Sequence, residues 1–158
     1  MSTSPYLVAY FSATGTTEAI AHRVAEAVDA ELFHIQPEVP YVSEDLGGAP
    51  GTRAADEQRE PDTRPATNGQ SPALDGVEIM FLGYPLWFGV SPRIILSFLE
   101  ENKEALKGIT IMPFATSGDS DIAASIGELH HHFPELDIQD GPAIHPGEAD
   151  RILASWLQ

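Results

Sequence analysis

An unbroken apolar run, Tyr6-Leu7-Val8-Ala9-Tyr10-Phe11, is the feature that most narrows the folds open to this chain. A strand with one solvated face alternates polar and apolar residues; a run without alternation suits a strand covered on both faces, the condition of a parallel sheet. Parallel strands need crossover connections, and the sequence supplies one at once. Ile20, Val24 and Val28 recur at intervals of four with Ala21 and Ala25 beside them, which predicts a helix with one apolar stripe.

The same alternation continues along the chain. Glu31 to Ile35 reads as a second strand and Val77 to Gly83 as a third. Ser91-Pro92 then occupies the N-cap and first positions of a helix carrying Ile94, Ile95, Phe98 and Leu99. Ile109 to Ala115 reads as a fourth strand, and Ile122, Ile126 and Leu129 stripe a third helix. Leu136-Asp137-Ile138, with Ala143-Ile144 as a further short piece, forms a fifth, edge-like strand before a helix over Ile152, Leu153, Trp156 and Leu157. The expectation is one α/β domain over 1–158: a doubly wound, five-stranded parallel sheet of order 2-1-3-4-5 with helices on both faces. Residues 36–76 break the pattern. They are rich in Pro, Gly, Asp and Thr, contain Arg53, Arg59 and Arg64, and offer a short helix at most over 51–59.

Composition excludes several chemistries. With no cysteine there is no disulfide, thiolate nucleophile or iron–sulfur ligand. Eight basic against 24 acidic residues give a net charge of −16, which repels nucleic acid and anionic membranes and favours basic protein partners. No apolar run reaches membrane-spanning length and the N-terminus carries no targeting pattern, so a cytoplasmic protein is expected.

In a sheet of this order ligands bind beyond the carboxyl ends of the strands, where the strand order reverses. The loop after the first strand is Ser12-Ala13-Thr14-Gly15-Thr16-Thr17, directly before a helix. Unpaired backbone N–H groups and the helix dipole favour an anion there, and Gly15 allows a close turn around a phosphate. The alternative is a plain helix cap, although one hydroxyl suffices for that and four are present. The lysine and spacing of a nucleoside-triphosphate loop are missing, as is the G-x-G-x-x-G fingerprint. After the third strand comes Tyr84-Pro85-Leu86-Trp87-Phe88-Gly89, whose aromatics can wall a planar ring or simply plug the sheet's end. Thr116-Ser117-Gly118 follows the fourth strand, with hydrogen-bonding groups suited to a heteroaromatic ring or to capping the next helix.

Taken together, the Y-F-S-x-T-G-x-T start and the G-Y-P-L-W-F-G loop resemble the flavodoxins over nearly the whole chain, from Leu7 to Trp156. The resemblance implies flavin mononucleotide (FMN), with Ser12 and Thr14 to Thr17 around its phosphate. It implies Pro85 to Gly89 along the isoalloxazine and Thr116 to Gly118 on the pyrimidine side. It departs from many flavodoxins in having no aromatic between Thr116 and Asp121, so the second flavin face is either unstacked or covered from another segment, for which Tyr41 is a candidate. The expected function is a low-potential electron carrier served by basic redox partners. The alternative is an FMN-dependent NAD(P)H oxidoreductase of the quinone reductase type, with residues 36–76 as a lid and its arginines on the nucleotide phosphates. A non-redox module on the same fold is the third reading.

Overall fold

The computed structural model describes residues 5–46, 51–60, 62–117 and 120–157. The first apolar run is strand β1 (Tyr6–Tyr10), buried from Leu7 onward. Its side chains divide between two cores: Leu7 and Ala9 enter one, Val8 and Tyr10 the other. On the first side lie α3 (Arg93–Glu101) and α5 (Ala123–His132); on the second lie α1 (Thr16–Val28) and α6 (Ala149–Trp156). This two-sided cover explains why the run does not alternate.

Strands β2 (Glu31–His34), β3 (Ile79–Pro85), β4 (Thr110–Thr116) and β5 (Asp137–Ile138) complete the order β2-β1-β3-β4-β5, and every pairing is parallel. The expected topology is therefore the observed one, with a sixth strand added: β6 (Ala143–Ile144) also pairs with β4. The edge strand is split in two, and the cause lies in β4. The amides of Ala115 and Ser117 reach outward to the carbonyls of Pro142 and Ile144. Pro113, two residues before Ala115 on the same side, has no N–H to offer, so the ladder lapses there. The edge chain closes in on the gap. A Cβ on Gly141 would lie 1.6 Å from the carbonyl oxygen of Pro113.

Element boundaries move slightly from the sequence reading. The third strand begins at Ile79 rather than Val77, because the amide of Val77 closes a turn onto the carbonyl of Leu74, and it runs on to Pro85. The helix after it starts at Arg93, with Pro92 as its extended N-cap residue (ψ 147°) in place of Ser91. Residues 36–76 hold more structure than composition suggests: a 3₁₀ turn over Ser43–Leu46, helix α2 (Arg53–Arg59), and a bridge between Pro37 and Thr67. A short α4 (Lys103–Leu106) follows α3. No described helix is long and apolar enough to cross a membrane.

Two glycines give opposite expectations. Gly141→Ala drives a methyl group into backbone and should cost more than about 2 kcal/mol. Gly127, inside α5, has nothing within 4 Å of an added Cβ. Gly127→Ala should therefore stabilise by about 0.5–1 kcal/mol. Urea unfolding of the two variants measures both.

Candidate functional site

Parallel register brings the ends of β1, β3 and β4 to one edge of the sheet: Pro85 and Thr116 end level, and Tyr10, paired with Gly83, stops two residues short of them. The chain leaving each strand meets the others in a cleft of about 590 Å³. Two hydrogen bonds tie its floor. The Thr17 and Thr116 hydroxyls bond each other at 2.7 Å, both buried, and the amide of Leu86 donates to the carbonyl of Thr116 at 2.9 Å.

At the first loop, Gly15 is the N-cap residue of α1, held at φ 93°. An L-residue rarely adopts that conformation, and an added Cβ would meet only open space, so the backbone rather than crowding selects glycine. No side chain caps α1. The surplus hydroxyls are thus not there as caps. Ser12 accepts a bond from the amide of Gly15 at 3.1 Å, and Thr17 is turned to Thr116. Thr14 and Thr16 stand exposed on the cleft wall. An uncapped helix N-terminus fringed by unused hydroxyls offers donors to an anion. The acidic residue of the first turn is held aside, because Glu18 accepts a 2.9 Å bond from the Tyr10 hydroxyl. Burial, reinforced by that carboxylate, pushes the Tyr10 phenol up to about 12.

The second loop is a tight turn. Trp87 and Val90 exchange backbone bonds of 2.8 and 3.2 Å across Phe88 and Gly89, whose φ angles of 55° and 83° match a type I′ turn. Phe88 is 61% exposed at its tip, an aromatic residue held in the left-handed region. Trp87 lines the cleft and is braced by two rings. Tyr41 and Phe11 stand nearly perpendicular to the indole with centroids at 5.2 and 5.6 Å. Burial, then a hydrogen bond to Glu57, raises the Tyr41 phenol far above its ordinary range, and Arg53 lies 3.8 Å over its ring.

Helix α2 reaches into the same turn. The Gln58 side-chain amide donates to the carbonyls of Trp87 and Ser91 at 3.1 and 3.0 Å and accepts the Arg93 N–H at 2.9 Å. The buried Arg93 guanidinium answers by donating to the carbonyls of Gln58 and Glu60 and to both oxygens of Glu128. Within residues 36–76, α2 thus buttresses the turn through Gln58. The segment's arginines are engaged as well: Arg53 with Glu57, Arg59 with Asp56 and Arg64 with Glu100.

Of the residues expected around a cofactor, the cleft wall gathers Ala13, Thr14, Thr16, Thr17, Pro85, Trp87, Thr116 and Ser117. Leu86 packs toward the core, and Ser12 faces a smaller pocket on the β2 side. Tyr84 is fully buried, its hydroxyl 2.8 Å from that of Ser125; burial raises its phenol further than that bond lowers it. Phe88 and Gly89 form the turn's tip, and Gly118 lies outside the described residues. The far wall, Ile144 to Gly147 with Ala149 and Leu46, has no counterpart in the sequence reading. Applying the carboxyl-end rule to the short fifth strand would have found His145-Pro146-Gly147. Gln58, a lone amide in a polar stretch, gave no signal.

The sequence model of the family described as flavodoxin matches residues 5–158. A solved structure of a candidate flavoprotein from Bacteroides eggerthii is 38% identical, with a TM-score of 0.88 over 96% of this chain and 95% of its own. A second from Bacteroides uniformis is 35% identical, with a TM-score of 0.86 over 95% and 96%. A flavoprotein from Lactobacillus acidophilus in complex with FMN shares the fold at 18% identity, with a TM-score of 0.72 over 94% and 98%. No curated protein matches.

Replacing Gln58 by Met keeps the side chain's size and strips its three bonds. Leaving the Ser91 carbonyl and the Arg93 amide without these partners, and the Trp87 carbonyl with its Val90 bond alone, should destabilise by about 2 kcal/mol. Hydrogen exchange at Val90 and Arg93 should quicken more than in the sheet centre, and uniform exchange would contradict the buttress role.

Proposed function

The chain belongs to the flavodoxin family, and on that premise we infer that it is an FMN-binding electron carrier. The observation that carries the reading is the uncapped N-terminus of α1, opening with Thr14 and Thr16 into a cleft of about 590 Å³ whose other end is a tryptophan wall. A mononucleotide needs such a pairing of anion donors with a flat apolar surface, and the volume is that of a small-molecule site. The residues fit the group.

The phosphate would be held by the backbone N–H groups of Thr16 and Thr17 and by the Thr14 and Thr16 hydroxyls, and by the Gly15 N–H if it exchanges its bond to Ser12 for the ligand. Pro85 and Trp87 would flank the ring, with Thr116 and Ser117 on its polar side. When bound, FMN supplies the one- and two-electron chemistry, and the protein tunes it. The Trp87 carbonyl already accepts bonds from Val90 and Gln58. That leaves the Phe88 and Gly89 carbonyls as the acceptors the turn would offer to a hydrogen-bond donor on the ring. A chain of net charge −16 resists further negative charge on its cofactor, which lowers the potential of the last electron. The same charge favours basic redox proteins as donor and acceptor.

The carrier reading is preferred over a nicotinamide-dependent reductase because the three arginines of 36–76 are already paired with carboxylates and the segment is tied down through Gln58. FMN-loaded protein should therefore show no steady oxidation of NADH or NADPH on its own and accept electrons through a separate reductase. Its final midpoint should lie below that of free FMN and rise with ionic strength as charges are screened. Sustained NAD(P)H turnover by the purified protein would establish the reductase instead.

A further inference from the structure

A second, smaller pocket of about 180 Å³ opens on the other side of the first loop, where β1 and β2 end. It shares Ala13 with the large cleft and none of that cleft's far wall. Phe11 and Tyr41, with centroids 5.6 Å apart at 67°, give it apolar walls together with Pro37 and Pro40. The Tyr41 hydroxyl is spent on Glu57. The remaining polar side chains of the lining are those of Ser12, His34 and Gln36; among the described residues no carboxylate, lysine or arginine lines the pocket.

Which nitrogen of His34 carries the proton is fixed by a relay of amides that starts outside the pocket. The N–H of Gln70 donates to Oδ1 of Asn68 at 3.1 Å, so the other end of that side-chain amide is its donor. Asn68 Nδ2 accordingly donates to Oε1 of Gln36 at 3.2 Å, which turns Gln36 Nε2 toward Nδ1 of His34, also at 3.2 Å. An amide nitrogen only donates, so Nδ1 accepts and the neutral ring carries its proton on Nε2. Burial lowers the pKa of the imidazole from its ordinary value, against the opposing pull of Glu18, which keeps the ring neutral at neutral pH. Its plane is set by a stack on Tyr10 at 4.7 Å and 7°. Nε2–H itself has no partner among the described residues. Ser12 repeats the pattern: its oxygen accepts the Gly15 N–H at 3.1 Å, and its own O–H is unspent.

We propose that this pocket is a second small-molecule site, which takes an uncharged planar ring carrying a carbonyl oxygen, as in an aromatic amide, with the His34 Nε2–H and the Ser12 hydroxyl as its donors. The size is that of one ring, since an apolar cavity of about 150 Å³ accommodates benzene. A charged ligand would lose its hydration without gaining a counter-charge from the lining. The site does not depend on FMN, yet its occupant touches parts of the larger cleft's frame. Phe11 and Tyr41 are the rings that brace Trp87, and Ser12 and Ala13 begin the loop that leads into α1. Occupancy is therefore felt at Trp87 without the ligand entering the large cleft.

Benzamide is the probe, titrated into ¹⁵N-labelled apoprotein and FMN-loaded protein, with toluene as the ring lacking the oxygen and benzoate as the ring bearing a charge. Benzamide should saturate in the millimolar range, moving the amides of Ser12, Ala13, Gln36 and Tyr41 and the indole N–H of Trp87 in both forms. The imidazole ¹⁵N shifts of His34 should show Nε2 protonated and Nδ1 bare before the probe is added, and Nε2 should move with it. His34→Phe keeps a stacked ring and loses the donor. It should weaken benzamide about fivefold, the scale of one neutral hydrogen bond, and leave toluene within about twofold. If that variant does not fold, the wild-type imidazole shifts decide the donor. Benzoate should bind at least about tenfold more weakly than benzamide. No saturable shifts at residues 12–13 and 36–41, or shifts centred on 144–147, where the probe would lie in the large cleft, overturn the proposal. So does a proton on Nδ1 in the free protein, an equal loss of benzamide and toluene in His34→Phe, or benzoate binding as tightly as benzamide. A protein that fails to bind FMN but takes up benzamide in this way overturns the cofactor reading and leaves the second site standing.

Discussion

Strands β1, β3 and β4 run parallel and end at the same edge of the sheet, and the cleft exists because of that register. Tyr10, Pro85 and Thr116 are the points where each chain quits the ladder, so the segments that follow must share one space. The Thr17–Thr116 hydroxyl pair then fastens the first turn of α1 to the end of β4 across 99 residues of sequence. Loops of such different length and composition are positioned to within a hydrogen bond because the sheet beneath them is buried on both faces and cannot slip.

Electrostatics completes what the register begins. The chain's acidity would seem unsuited to an anionic ligand, yet the described cleft wall contains no carboxylate. Glu18 is drawn to Tyr10, Asp121 to an amide of α5, and Glu148 is shared between His145 and Arg151. What faces the ligand is the positive end of α1, free hydroxyls and one imidazole. Affinity built from oriented N–H groups needs no lysine, and the absence of a phosphate-neutralising side chain keeps the cofactor in a negative surrounding field.

The sheet was legible in the sequence because strands buried on both faces leave a strong local mark: runs such as 6–11 and 109–115 have few other uses. The loop 12–17 was legible as a candidate site for a similar reason, four hydroxyls being more than a cap requires. Other features depend on partners far away in the chain. The fifth strand splits because Pro113 on its neighbour lacks an N–H, which its own residues do not reveal. Gln58 matters through carbonyls at Trp87 and Ser91, and no periodicity marks a single buried amide. Tyr84 is apolar-run sequence and loop-motif sequence at once; only the strand's extension to Pro85 sends its ring into the core. His145 was missed because a two-residue strand carries almost no sequence signal.

The claim on which the rest turns is that the cofactor's phosphate sits on the N-terminus of α1. Backbone amide chemical shifts of ¹⁵N-labelled apoprotein, recorded on adding FMN and then riboflavin, test it most directly. The account predicts that the amides of Gly15, Thr16 and Thr17 move strongly with FMN and little with riboflavin, while the indole N–H of Trp87 moves with both. Equal shifts at residues 15–17 for the two flavins, or none there with FMN, would contradict it.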